Sequence, residues 1–335
     1  MRKRRRSSPA RAAMKLLCLM LGLILTVMVG ATAYFQYQTG LLPSLDLSSI
    51  SVFSGESWHL PELPSLNLGQ FLSGTASNQI GGRGSNIVNI LLVGQDRREE
   101  EERARSDSMI LCTFNKKTKQ LTMTSFLRDL YVPIPGYEAN RINSAYAYGG
   151  IPLLEQTLQE NFNLHIDGSV EVDFSQFAKV VDLLGGVEME LRQDEAEVIN
   201  YETGSELSAG THRLSGDQAL AYSRIRKLDA DGDFSRTNRQ RKVISALMDA
   251  YRGAGLTTML TMTKNILPMI TTDLSNVEIL MYGLELFPML SDAQIVSQYV
   301  PAAGTYSDQS INGMSVLVPD LEANQQILRE TLLGN

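Results

Sequence analysis

Leu16 to Phe35 reads LLCLMLGLILTVMVGATAYF, an unbroken run with no charged residue. A helix of about 20 apolar residues, rising 1.5 Å per residue, spans a ~30 Å hydrocarbon layer. Arg2, Lys3, Arg4, Arg5, Arg6, Arg11 and Lys15 precede it without a single acid, which sets the N-terminus inside and everything after Phe35 outside. Ala31-Thr32-Ala33 offers the small-residue spacing of a cleaved signal peptide. The run continues into Tyr34 and Phe35, however, and aromatics at the interface favour a retained anchor. The expected layout is a basic cytoplasmic tail over 1–15, a transmembrane helix over 16–35, an outer linker over 36–85 rich in Ser, Leu, Pro and Gly, and a domain over 86–335. The protein is then expected in a membrane as a single-pass anchor.

The charge of the remainder excludes one class of partner. Setting the seven leading bases aside leaves 23 Lys+Arg against 37 Asp+Glu, a net of −14. A nucleic-acid surface needs a basic stripe that such a body lacks. Any phosphate it binds must be held by a few converging arginines. Cys18 lies in the apolar run, so Cys112 has no partner for an internal disulfide and reads as a small buried hydrophobe.

Ile87 to Val93 has the pattern of a buried strand. Ser108–Phe114 and Gln120–Phe126 form two β-rich runs joined by Asn115-Lys116-Lys117-Thr118, a hairpin signature. A short helix is expected over Pro152–Asn161. Asp173-Phe174-Ser175-Gln176 reads as a capping box for a helix that Gly185-Gly186 ends. Ser215–Ile225, Asp233–Tyr251 and Asp320–Leu333 read as helices, and Val187–Leu191, Gln294–Val300 and Ser315–Val318 as strands. Alternation of this kind points to an α/β or α+β domain with a mixed central sheet flanked by helices.

Three polar clusters punctuate these elements. Asp96 follows the first strand and Arg105-Ser106-Asp107 precedes the second, so two carboxylates at neighbouring strand ends can share a hard cation. Arg128-Asp129 follows the hairpin. Arg224 and Arg226 share a side if the chain is extended there, and Arg236, Arg239 and Gln240 sit at i, i+3 and i+4 of the next helix, near a helix start that favours an anion. Guanidinium forks suit a pyrophosphate. Phe177, Val180, Val181 and Leu184 with Ile244, Leu247 and Met248 can line an apolar slot, or form ordinary core at helical spacing. His59, His165 and His212 stand apart, and no HExxH, CxxC, P-loop or G-x-S-x-G pattern occurs. Asp229-x-Asp231-Gly232-Asp233 hints at a calcium loop, but its glycine is misplaced for an EF-hand.

Taken in order, NILLVGQD, RSDSM, RDLYVPIPGY, RINSAYAYGG, VVDLLGGVE, AGTHRLSGDQALAYSRIRK and GDFSRTNRQ resemble the LytR-CpsA-Psr family over roughly residues 86–250, with Ile270-Thr271-Thr272-Asp273-Leu274-Ser275 a looser match beyond. The resemblance implies a transferase that moves teichoic acid, capsular or related glycopolymer from an undecaprenyl-pyrophosphate carrier to peptidoglycan. It implies Mg²⁺, with Mn²⁺ as a substitute, on Asp96 and Asp107. Arg105, Arg128, Arg224, Arg226, Arg236 and Gln240 would surround the pyrophosphate, with Arg239 in the same motif. Asp96 or Asp129 could serve as base beside Arg128, or a metal-bound environment could suffice. Family members often carry His where this chain has Ser144, and Pro where it has Leu127. Two other readings remain at this level: a non-catalytic polyprenyl-phosphate-binding regulator, and a lipid pyrophosphohydrolase.

Overall fold

The computed structural model describes residues 79–82, 85–95, 106–253, 265–275, 278–279, 281–282, 286 and 293–334. The expected anchor, the linker as far as residue 78, Asp96 and Arg105 lie outside them. Among the described residues no helix is long and apolar enough to cross a membrane.

The chain runs β1 (Ile87–Gln95), β2 (Ser106–Asn115), β3 (Gln120–Phe126), β4 (Tyr131–Val132), β5 (Asn140–Arg141), α1 (Asn143–Phe162), β6 (Gly168–Asp173), α2 (Phe174–Leu183), β7 (Val187–Leu191), α3 (Gln193–Thr203), β8 (Gly210–Leu214), α4 (Gly216–Arg224), α5 (Asp233–Gly253), β9 (Thr271–Thr272), β10 (Gln294–Val300), β11 (Tyr306–Ile311), β12 (Met314–Pro319) and α6 (Leu321–Leu333). Six strands make one sheet in the order β10-β3-β2-β1-β6-β9. It is mixed, as expected: β1–β2 and β2–β3 are antiparallel, whereas β6 joins β1 and β10 joins β3 in parallel.

Strand side chains alternate between faces, so the two sides acquire different partners. On one, Leu91, Met109, Leu111 and Phe126 pack with Leu154, Leu158 and Phe162 of α1 and Leu328 and Leu332 of α6. On the other, Ile110, Cys112, Leu121 and Met123 meet Ile244 and Met248 of α5. Cys112 behaves as the small hydrophobe expected, and burial pushes its thiol up to about 12. A third cluster joins the β7–β8 hairpin to α2, α3, α4 and α5 through Val181, Leu191, Ile199, Leu214 and Tyr222. Gly216 lets α4 approach α2 closely: a Cβ there would stand 2.1 Å from the Ala178 carbonyl oxygen.

Local signals were mostly literal. Asp173 accepts from the Gln176 amide at 2.7 Å, and Gly185 and Gly186 follow the helix with positive φ. Packed structure begins before Asn86: buried Ile80 donates to Asn163 O, and Asn89 Nδ2 donates to Ile80 O and His165 O. The helix expected over Pro152–Asn161 starts at Asn143 and breaks at Gly150 (φ 66°, ψ −155°).

One tie between layers titrates. Glu155 on α1 faces Asp273 beyond β9, and Asp273 accepts from the Ser169 amide at 2.7 Å. Burial, then the Asp273 charge, push the Glu155 carboxyl up to about 7. A carboxyl raised on folding contributes stability that is full below its unfolded pKa, near 4.5, and is lost as pH rises through about 7. Glu155→Gln should therefore unfold with a flatter pH dependence between 4.5 and 7 than the parent chain. Superimposable profiles in urea titrations across that window would remove Glu155 from the account.

Candidate functional site

The site grows from the ends of three adjacent strands and the start of one helix. β1 leaves the sheet through Gln95, whose side chain accepts from Tyr146 Oη at 3.1 Å and donates to Glu171 at 2.5 Å. Gln95 is thus fixed at both ends, beside the register shift at Gly94/Gln95. β2 re-enters at Ser106 and carries Asp107. β3 ends at Phe126, and the next residues, Leu127 to Leu130, form a turn. Leu127 N–H donates to Val300 O at 2.9 Å, and Leu317 N–H donates to Asp129 O at 3.0 Å. Arg128 and Asp129 are thereby gripped from both sides. A proline at 127 would forfeit the bond to Val300.

Side chains from these points interleave by charge. Arg128 Nη1 lies 2.6 Å from Asp107 Oδ1, and its Nε lies 3.8 Å from Asp233. Arg236 Nη2 reaches Asp233 at 2.9 Å and the Asp107 carbonyl at 3.3 Å. Arg226 Nε is 3.5 Å from Asp233, and its Nη2 is 3.8 Å from Asp129. Arg141 Nε completes the chain, 3.2 Å from Asp129. Four guanidinium groups therefore share three carboxylates, leaving the cluster cationic. Arg236 is buried, and that burial lowers its pKa despite the Asp233 charge beside it. Both Asp233 oxygens and Arg236 Nε are buried without a well-directed hydrogen bond, as is Gln240 Oε1. Buried polar atoms in that state are uncommon and mark places where a ligand or water completes the pairing.

Beside this cluster opens an apolar cavity of about 230 Å³ on the α5 face of the sheet. Phe174, Phe177 and Val180 of α2, Leu220 of α4, and Val243, Ile244 and Leu247 of α5 wall it. Gly94, Ser108, Ser223 and Gln240 supply its few polar positions. A side chain at Gly94 would press on Ser108, 3.2 Å from its Cβ. Phe177, Val180, Ile244 and Leu247 thus do line a slot, whereas Val181 and Met248 belong to the packed core.

The structure gathers Asp107, Arg128, Asp129, Arg226 and Arg236, and sets Gln240 in the cavity wall. Arg224 stands at the cavity's rim, its guanidinium 5.4 Å from the Phe174 ring centroid. Arg239 has to be corrected. It turns away from its helix neighbours and is 3% exposed, with Nε 2.9 Å from Glu195 and a second ion pair to Asp229. The i, i+3, i+4 argument failed for it because positions 239 and 240 lie on opposite sides of Arg236 around the helix, and a buried carboxylate, Glu195, awaited the one at 239. Nor do the three aspartates of 229–233 converge: Asp229 pairs with Arg192 and Arg239, Asp231 accepts from Ser235, and Asp233 enters the arginine cluster. Sequence reasoning missed Asp233 and Arg141. The Asp233-Arg236 spacing, an i,i+3 ion pair, was the available signal. Arg141 opens the matched run RINSAYAYGG, and that was its signal.

For magnesium, Asp107 supplies a hard oxygen donor whose side chain is 27% exposed. Among the described residues no three acidic, His or Cys side chains form a metal group. A single carboxylate beside guanidinium groups still fits an ion that takes most of its ligands from water and phosphate.

The sequence model of the LytR_cpsA_psr family matches residues 70–331. This chain belongs to that family. Within the LytR-CpsA-Psr family it is similar to the polyisoprenyl-teichoic acid–peptidoglycan teichoic acid transferase TagT of Bacillus subtilis, 40% identical over 173 residues that cover 50% of this chain and 53% of the relative. The regulatory protein MsrR of Staphylococcus aureus is 32% identical over 249 residues, 73% of this chain and 74% of MsrR. Among solved structures, the LytR-CPS2A-psr family protein YwtF (TagT) with bound octaprenyl pyrophosphate lipid superposes with a TM-score of 0.59, at 29% identity, over 77% of this chain and 95% of that one.

Proposed function

We propose that this protein takes a glycopolymer from a polyprenyl-pyrophosphate carrier and joins it to peptidoglycan, outside the membrane that its N-terminal segment anchors it to. The observation that carries the reading is adjacency: a cationic cluster of guanidinium groups with orphaned buried polar atoms adjoins an apolar cavity, which matches a pyrophosphate head joined to a prenyl tail. The similarity to a structure holding octaprenyl pyrophosphate supports it.

Arg128, Arg226 and Arg236 would hold the pyrophosphate oxygens, with Arg224 at its edge and Gln240 between head and tail, and Arg105 would join them as the family motif implies. Asp96 and Asp107 would hold Mg²⁺, which neutralises phosphate charge when bound. A wall hydroxyl would attack the sugar-bearing phosphorus. One O–P bond forms, the bridging P–O bond breaks, and polyprenyl monophosphate leaves. The hydroxyl proton passes to Asp96 or Asp129. Such a transfer depends on positioning and charge neutralisation more than on a covalent partner.

The test incubates the full chain in detergent with labelled lipid-linked glycan and peptidoglycan oligomers. Label in the wall oligomer supports transfer. Release to water alone would mean a pyrophosphohydrolase, and tight binding with no product a regulator. Asp107→Ala, or excess chelator, should abolish transfer while leaving the thermal midpoint close to the parent's. Full turnover under either condition would strike magnesium from the mechanism.

A further inference from the structure

We propose that Tyr137 and Tyr148 form the platform on which the acceptor glycan, a chain of N-acetylated amino sugars, lies during transfer. The proposal rests on the transferase reading and adds the place where the second substrate binds.

Tyr137 and Tyr148 are 53% and 42% exposed, yet their rings stack on each other with centroids 4.8 Å apart and planes 24° from parallel. Exposed aromatic surface grouped in this way marks an interaction site more often than scattered apolar residues do. Each ring is held by a preset backbone. Ile134 to Tyr137 is a tight turn with Pro135 at its second position, Gly136 at φ 77° at its third, and Tyr137 N–H bonded to Ile134 O at 2.9 Å. Tyr148 precedes the Gly150 break in α1, and its hydroxyl accepts from Asn140 Nδ2 at 2.8 Å. Rings already ordered lose little freedom when a ligand arrives.

Polar contacts connect this platform to the arginine cluster. Asn140, bonded to Tyr148, is followed by Arg141, whose Nε lies 3.2 Å from Asp129 Oδ1. The other Asp129 oxygen lies 3.8 Å from Arg226 Nη2. The cavity opens on the α5 face of the sheet, whereas Leu130, Val132 and Ile134, which lead to the platform, pack in the α1-face core. Donor tail and tyrosine pair thus sit on opposite sides of the site, leaving the pair free for the acceptor. A pyranose ring suits the surface, because its axial C–H faces stack on aromatic rings while its edge hydroxyls and acetamido group meet Asn140 and Arg141. A phosphate-rich polymer would instead seek the arginines directly.

The full chain in detergent would be assayed at saturating lipid-linked donor over a series of peptidoglycan oligomer concentrations. A Tyr137→Ala/Tyr148→Ala double variant should raise the half-saturating acceptor concentration about tenfold or more, with donor half-saturation within twofold of the parent. Tyr148→Phe, which keeps the ring, should stay near the parent. An unchanged acceptor dependence, or a shift in donor dependence instead, overturns the platform. A hexamer of β-1,4-linked N-acetylglucosamine, titrated without donor, tests the platform separately from transfer. Binding lost in the double variant supports it, and binding that is absent from the parent or equal in both overturns it. Missing transfer in the parent chain counts against the transferase reading alone.

Discussion

Arg128→Ala should slow transfer roughly 30- to 1000-fold. Removing one preorganised charge-assisted donor from a developing anion costs about 2–4 kcal/mol, and each 1.36 kcal/mol is tenfold in rate. Arg128 is well placed to cost that much, since its fork faces both Asp107 and Asp233 on a turn pinned by backbone bonds to Val300 and Leu317. Arg226 and Arg236 stay beside Asp233, so no buried carboxylate is stranded and the fold should survive. Arg128→Lys should recover part of the rate, because an ammonium keeps the charge without the planar fork. Lys242→Ala, an exposed change on the same α5 helix that carries Arg236, is the control. Equal rates and equal lipid-pyrophosphate affinity for Arg128→Ala and Lys242→Ala would dismiss the arginine cluster as decoration.

The second large effect is on stability. Arg239→Met should destabilise the fold by about 3–5 kcal/mol, the usual consequence of stranding one member of a buried ion pair. Glu195, its partner, is 4% exposed, and it also accepts from the Arg192 amide at 3.0 Å at the start of α3. Replacing both, as Glu195→Gln with Arg239→Met, should recover much of the loss, because two neutral groups leave no naked charge. Denaturant unfolding of the parent, both single variants and the double closes that cycle. A single variant within about 1 kcal/mol of the parent, combined with weakened pyrophosphate binding, would return Arg239 to the ligand.

What the sequence disclosed follows from how local each signal is. The β2–β3 hairpin, the Asp173 capping box and the Gly185-Gly186 stop depend on neighbours within a few positions, and the structure holds them where the residues suggest. The exposed strand β11, Tyr306–Ile311, gave no sign, because YSDQSI alternates no apolar face and is held by its register with β12. The first half of α1 was missed because Gly149 and Gly150 are poor helix formers and Pro152 marked a later start. In the site, residue types singled out the arginines but not how they divide. Arg236 and Arg239 stand three positions apart, and only the long-range placement of Asp107 and Glu195 sends one to the cluster and the other to the core. Asp233 sits among three guanidinium groups, two from its own neighbourhood and one, Arg128, from about a hundred residues earlier.

The grip on Arg128 and Asp129 also fixes an order of events during synthesis. The residues that hold this turn, Val300 and Leu317, belong to the last part of the chain, and β10 must pair in parallel along β3 before Val300 arrives. Contacts spanning that much sequence close late, since loop closure is unfavourable until the partners meet. A nascent chain can therefore fold its hairpin, and build α1 and α5, while the Arg128-Asp129 turn remains unsecured. The site matures only when the carboxy-terminal residues return to the sheet, and a chain stalled before Gln294 would lack both the bonds that hold this turn and the α6 side chains Leu328 and Leu332 of the α1-face core.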